Sequence, residues 1–116
     1  MVHTGSCHCG RIRFEVEGTI DSAMACNCSM CSRKGSLLWF TPREKFRLLT
    51  DEADAATYLF NKHVIRHRFC TVCGIHPYAE GVHPKTGQKM AAVNLRALEN
   101  FDLAAVPVQH VDGRSF

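Results

Sequence analysis

The chain has 116 residues and a formal charge of +3, with 46% of its residues in the hydrophobic set and 22% charged. Those figures suit a single domain over residues 1–116 with one modest core, and they exclude a disordered chain. No stretch approaches the roughly 20 apolar residues of a membrane-spanning helix, and the opening MVHTGSCHCG lacks the apolar core of a secretory signal. A soluble, cytoplasmic protein without a membrane partner is therefore expected.

In chain order, residues 11–17 (RIRFEVE) alternate, with Ile12, Phe14 and Val16 on one face and Arg11, Arg13, Glu15 and Glu17 on the other. This predicts a half-buried strand. Residues 36–41 (SLLWFT) and 46–49 (FRLL), separated by Pro42, predict two more. Residues 57–60 lead through Asn61-Lys62 into 63–69, where Val64, Arg66 and Arg68 alternate with His63, Ile65, His67 and Phe69. That pattern predicts a hairpin, with the two arginines on a solvated edge. Pro84-Lys85-Thr86-Gly87 is a turn signal before a core strand over 90–95. Only residues 43–45 and 51–57 suit a helical turn or two, and Pro107 and Asp112-Gly113 punctuate the tail. The expected fold is mainly β, with no internal repeat, low-complexity run or linker.

The seven cysteines form three groups: Cys7 and Cys9 in CHC, Cys26, Cys28 and Cys31 in CNCSMC, and Cys70 and Cys73 in CTVC. A reducing cytosol keeps thiols free and an odd number cannot pair fully, so the clusters point to metal ligation rather than disulfides. In extended chain, residues i and i+2 face the same side, so each Cys-x-Cys offers two sulfurs together. The Cys-x-x-Cys pieces need a tight turn, which Gly74 after Cys73 favours, and Gly10 stands in the same relation to Cys9.

A closed structural zinc site takes four ligands, whereas a catalytic one takes three and keeps an exchangeable position. Seven cysteines divide as four plus three if the first and third groups meet in space. Other partitions, such as the central trio closed by a histidine, fit the spacing as well. Counting seven thiolates at −1 and two Zn²⁺ at +2 takes the formal charge from +3 to 0. The sequence pI of about 8.5 is thus weak support for nucleic-acid binding.

The elements GSCHCGRIRFEVEG, ACNCSMCSRKG and FCTVCGIHPYAEG, followed by AAVNLRAL and HVDGRSF, resemble the glutathione-dependent formaldehyde-activating family, which includes centromere-protein-V-like domains. The resemblance runs through nearly the whole chain. It implies a β-tent fold of antiparallel strands built around a four-cysteine structural zinc at Cys7, Cys9, Cys70 and Cys73. It also implies a second, catalytic zinc at Cys26, Cys28 and Cys31. The implied activity is that of a carbon–sulfur lyase joining formaldehyde and glutathione into S-hydroxymethylglutathione. Zn²⁺ with three thiolates carries a net charge of −1 and should acidify a bound water less than zinc on three histidines. Such a soft site suits a substrate sulfur as fourth ligand better than it suits hydrolysis.

Around these groups, Arg33 and Lys34 either meet the carboxylates of a tripeptide thiol or offset the trio's negative charge, the second being the simpler reading. His76 follows the CTVCG turn and suits a proton shuttle, a donor to a sulfur, a fourth ligand or an ordinary loop residue. Trp39, Phe40, Phe14 and Phe69 read as packing, and Asn94 as a cap or strand cross-link. Two other functions compete with the lyase: a zinc-stabilised protein- or chromatin-interaction module, and a redox protein using the trio as reactive thiolates. The first calls for a basic face with interleaved aromatics, and this chain has only local basic clusters.

Overall fold

The computed structural model describes residues 1–59 and 65–113. Strand β1 (Val2–Ser6) pairs antiparallel with β2 (Arg13–Glu17). Phe14 and Val16 are buried on β2 while Arg13 and Glu17 are exposed, as the alternation predicts. The strand starts two residues later than expected because Ile12 belongs to the connecting loop, where its N–H and C=O bond Cys7 Sγ and Cys7 N–H. Strand β1 escapes prediction because its one fully buried residue is Gly5, whose Cα lies so close to the Phe14 ring and the Ala97 carbonyl that no Cβ fits.

Strand β3 (Ala23–Cys26) is followed by a six-residue helix α1 (Ser29–Lys34), β4 (Leu38–Pro42), a 3₁₀ turn at Arg43–Lys45 and β5 (Phe46–Leu48). A second 3₁₀ turn at Glu52–Asp54 precedes β6 (Ala55–Tyr58), which pairs antiparallel with β7 (Arg66–Cys70). The tip of that predicted hairpin lies outside the described residues. Strands β8 (Tyr78–Val82) and β9 (Lys89–Asn94) form a hairpin closed by Gly87 N–H to His83 O, with Gly87 at φ 71°. Strand β10 (Val108–Val111) ends the described fold.

These strands form a three-stranded sheet, β1-β2-β5, and a seven-stranded sheet in the order β10-β3-β4-β9-β8-β7-β6. The fold is mainly β and its pairings are antiparallel with one correction: β10 runs parallel to β3. A long return through a 3₁₀ turn at Leu103–Ala105 brings the tail back along β3 in the same direction, anchored by Ala23 N–H to Pro107 O.

The core lies between the sheets. Phe14 and Phe46 of the small sheet stack with centroids 5.0 Å apart, and Phe46 meets Tyr78 of the large sheet at 4.5 Å. Each such aromatic pair adds about 0.5–1.5 kcal/mol beyond its buried area. Ile12, Val16, Ala91 and Val93 complete the cluster, and Cys7 and Cys70 are buried within it. These two sulfurs are therefore part of the core's own packing.

Arg68 corrects the expectation of a solvated edge. It is buried on β7, donates to Glu80 at 2.7 Å and to the Ala55 carbonyl at 2.9 Å, and lies over Tyr78. Glu80, on β8, also accepts from Arg43 at 2.8 Å and faces Arg66 at 3.6 Å. Burial raises the Glu80 pKa, but the bond and charge of Arg43, with Arg66 and Arg68, outweigh it and hold the carboxyl below its ordinary value. Its contribution to stability is thus complete above the unfolded value of about 4.3 and is lost as pH falls through the lower folded one.

Removing one partner of a buried pair leaves the other charge uncompensated. Glu80→Gln should lower the unfolding free energy by about 3–5 kcal/mol in urea titrations. A double Glu80→Met, Arg68→Met variant should recover a large part of that loss.

Candidate metal centres

The first cysteine cluster joins two distant segments. The loop between β1 and β2 carries Cys7 and Cys9, the end of β7 carries Cys70, and the turn after it carries Cys73. All four sulfurs lie within 4.8 Å of one another, with Cys7 to Cys9 at 3.7 Å and Cys9 to Cys70 at 3.5 Å. Cys7 and Cys9 sit in a turn, so the turn brings their sulfurs together rather than the strand alternation expected for Cys-x-Cys. Gly10, at φ 86°, closes that turn with its N–H on Cys7 O. Gly74, at φ 78°, does the same on Cys70 O.

Backbone N–H groups aim at these sulfurs: Ile12 at Cys7, and both Val72 and Cys73 at Cys70. Hydrogen bonds to sulfur favour the thiolate. Desolvation raises the Cys73 pKa, but N–H bonds from Ile75 and Cys9 and the bonds from Cys70 and Cys7 bring it down to about 6. Cys9 moves the other way: the Arg11 N–H lowers its pKa, yet desolvation and the neighbouring sulfurs carry it up to about 11. Four adjacent thiols without a cation thus share their protons unevenly. The cluster could hold a metal ion, and full ionisation of all four needs one.

The second cluster is local. Cys26 ends β3, Cys28 caps α1 and Cys31 lies inside it, with all three sulfurs within 4.8 Å of one another. Cys28 N–H reaches Cys26 Sγ at 3.5 Å, and Cys31 N–H reaches Cys28 Sγ at 3.3 Å. The helix was hidden in the sequence because it is short and is set by capping: Cys28 at its start and Gly35, left-handed at φ 69°, at its end. Burial and the neighbouring Cys28 and Cys26 push the Cys31 thiol up to about 12. Like the first, this cluster could hold a metal ion.

The tail clamps the trio. Cys26 pairs with Val111, Asn27 N–H donates to Val111 O at 3.2 Å, and Asn27 Nδ2 donates to Asp112 Oδ1 at 3.0 Å. Gly113 packs on the sulfurs so tightly that an added Cβ would collide with Cys26 Sγ. The Asp112-Gly113 turn signal thus has a specific use: its glycine lets backbone approach a sulfur.

The other candidates divide. Arg33 turns back to bond Ser29 O at 2.9 Å. Lys34 is half-buried near the sulfurs of Cys31 and Cys28; burial lowers its pKa and those sulfurs, in their ionised form, oppose the shift. His76 stacks on Phe69 with centroids 5.2 Å apart, and burial, then Lys34, lowers its pKa. Burial, Lys34 and His76 also push buried His67 down to about 4, which keeps it neutral at pH 7. Asn94 bonds His76 O through Nδ2 and accepts from Arg96 N–H, tying β9 to the turn after Cys73. Trp39 packs on the core, whereas Phe40 is exposed. A cleft of about 490 Å³ opens beside these groups, with Cys7, His8, Lys34, His76, Asn94 and Arg96 in its wall. Arg96 lies in the AAVNLRAL segment that carries part of the resemblance, but far from every cysteine group along the chain, and the sequence alone assigns its side chain no role.

A mainly β fold carrying two separate cysteine clusters, one of four and one of three, each of which could hold a metal ion, defines a class of cysteine-rich protein. The model of the glutathione-dependent formaldehyde-activating enzyme family matches residues 2–111, and the chain belongs to that family. A crystal structure of a Rhodobacter sphaeroides protein solved as a structural-genomics target is similar, with a TM-score of 0.77 and 28% identity. The match covers 91% of this chain and 99% of that one. Among the described residues, no helix is long and apolar enough to cross a membrane.

Because the atoms nearest to a Cβ at Gly113 belong to Cys26 and Cys28, Gly113→Ala should act selectively. We expect elemental analysis to show metal lost from the trio while circular dichroism and thermal melting stay close to those of the parent.

Proposed function

We propose that the protein is a cytoplasmic, zinc-dependent carbon–sulfur lyase acting on small thiol adducts, of the type that joins formaldehyde and glutathione into S-(hydroxymethyl)glutathione. The observation that carries this reading is the separation of the cysteines into a set of four and a set of three. Four sulfurs close a tetrahedral zinc site, and three leave one position. A tetrahedron of sulfurs about 2.3 Å from zinc has edges of about 3.8 Å. The 3.7 Å and 3.5 Å contacts in the first cluster fit that size.

We assign a structural zinc to Cys7, Cys9, Cys70 and Cys73 and a catalytic zinc to Cys26, Cys28 and Cys31. When bound at the trio, zinc would supply a position for a substrate sulfur and lower that thiol's pKa. In the forward direction the thiol gives its proton to solvent and its sulfur lone pair bonds the formaldehyde carbon. The carbonyl π pair moves to oxygen, which takes up a proton. No electrons leave or enter the pair of reactants, so no redox partner is required. The protein's residues contribute by holding the reactants adjacent, a recognised source of rate. Half-buried Cys26 and Cys28 face more solvent than Cys31, which suits a site that must admit substrate.

The two clusters should respond differently to mutation. Cys70→Ser should give insoluble or unfolded protein, because the tie it breaks is part of the core. Cys28→Ser should lose about one zinc per chain and remain folded. Normal stability and zinc content in Cys70→Ser would sink the structural assignment.

Cobalt-substituted protein tests the chemistry directly. Glutathione or 2-mercaptoethanol should shift the sulfur-to-metal absorption, oxygen analogues should do so poorly, and Cys28→Ser should lose the response. Binding should strengthen as pH rises toward the free thiol's pKa of roughly 8.5, since a proton leaves before sulfur coordinates. Two loaded sites that no small thiol perturbs would overturn the lyase reading in favour of an interaction module.

A further inference from the structure

The cleft's volume of about 490 Å³ lies inside the roughly 300–1,000 Å³ range of small-molecule sites. Its charge is one-sided: Lys34 and Arg96 line it beside the imidazoles of His8 and His76, and no aspartate or glutamate does. Several cations elsewhere in the molecule are matched by acids. Arg43, Arg66 and Arg68 converge on Glu80, Arg68 also reaches Glu52, and Arg47 pairs with Glu15. Among the described residues, Lys34 and Arg96 take part in no ion pair, as is also true of Arg11, Arg13, Arg33, Lys45, Lys85 and Lys89, but only Lys34 and Arg96 of these line the cleft. Offsetting the trio's charge accounts for Lys34 but leaves Arg96 without a role.

Arg96 is also held in place. Its Nε donates to Gly35 O at 3.1 Å, and its backbone N–H is fixed by Asn94 Oδ1 at 3.1 Å. Gly35 is the C-cap of α1, the helix that carries Cys31 and ends at Lys34. The guanidinium is therefore docked on the end of the trio's own helix, with its terminal nitrogens directed to neither Asp nor Glu among the described residues. A planar, oriented guanidinium with free terminal N–H groups is suited to a carboxylate.

We propose that this cleft is the carboxylate subsite of a peptide thiol substrate, with Arg96 binding a terminal carboxylate, Lys34 adding a second cation and Asn94 and Ser36 offering neutral donors. The assignment of a thiol to the ligand rests on the lyase reading, whereas the anion subsite rests on the cleft itself. A substrate anchored here has its carboxylates on the far end of α1 from Cys28, and its thiol is left to reach the trio. The arrangement favours acidic thiols such as glutathione over neutral ones.

The test uses zinc-loaded protein and a ligand whose sulfur is blocked, S-methylglutathione, titrated by calorimetry beside its diester. The acid should bind, and the diester should bind at least about tenfold more weakly, the scale of one charge-assisted hydrogen bond. Arg96→Met should weaken the acid by about tenfold with unchanged zinc content and melting temperature, leave the diester unaffected, and be partly rescued by Arg96→Lys. Equal binding of acid and diester, no binding of the acid, or an Arg96→Met protein that binds the acid like the parent would each overturn the subsite. A parallel cobalt titration with 2-mercaptoethanol keeps the two readings apart. If that neutral thiol shifts the cobalt bands while acid and diester bind alike, the lyase reading stands and the subsite falls. If the acid binds through Arg96 while no thiol shifts the bands, the subsite stands and the lyase reading falls.

Discussion

Everything in this molecule is arranged around four sulfurs that come from segments some sixty residues apart, Cys9 and Cys70 being separated by 61 positions, and that meet at the edge of the core with Cys7 and Cys70 buried in it. The core is small, resting on Phe14, Phe46 and Tyr78 with a few aliphatic side chains, and Cys7 and Cys70 occupy space in it as bulky residues would elsewhere. Thiols packed this closely cannot all shed their protons on their own, as the opposite displacements of Cys9 and Cys73 make plain. A cation among them would resolve the conflict and at the same time tie the small sheet to the end of β7. Metal affinity and folding free energy are then one quantity.

The trio answers to different constraints. Its three cysteines are close in sequence, so holding them together requires only a strand end, a capped turn and a short helix. What gives the trio rigidity is the returning tail, which pairs β10 with β3 and lays Gly113 against Cys26. Such a layered support, in which one element carries the donors and another presses on them, is how a site keeps its geometry while leaving a side accessible.

Charge is distributed with the same economy. On the β6–β7–β8 side, three arginines converge on one buried glutamate and Arg68 also reaches Glu52, so the cations are partly offset internally and the network serves stability. On the cleft side Lys34 and Arg96 have no such counterpart among the described residues, and the imidazoles of His67 and His76 are kept neutral near Lys34. The difference between these two basic regions lies in whether an acid was placed beside the cations. That distinction separates a structural network from a surface prepared for an anionic ligand.

The sequence by itself determined the elements whose signals are local. The alternation around Phe14 and Val16, the Pro84–Gly87 turn, the mainly β character and the grouping of cysteines are short-range patterns, and each reads correctly because periodicity and turn chemistry act over a few residues. Tertiary structure alone decided the rest. Which cysteine groups share a cluster depends on the path of the chain, and the spacing left several partitions open. Strand β1 was invisible because close packing on Gly5 replaces an apolar side chain, and α1 because six residues display caps rather than a stripe. Arg68 looked solvated because the burial of a guanidinium depends on a carboxylate twelve residues away on the next strand. Arg96 became legible only when folding set it against Gly35, 61 positions earlier, at the end of the helix that bears the trio.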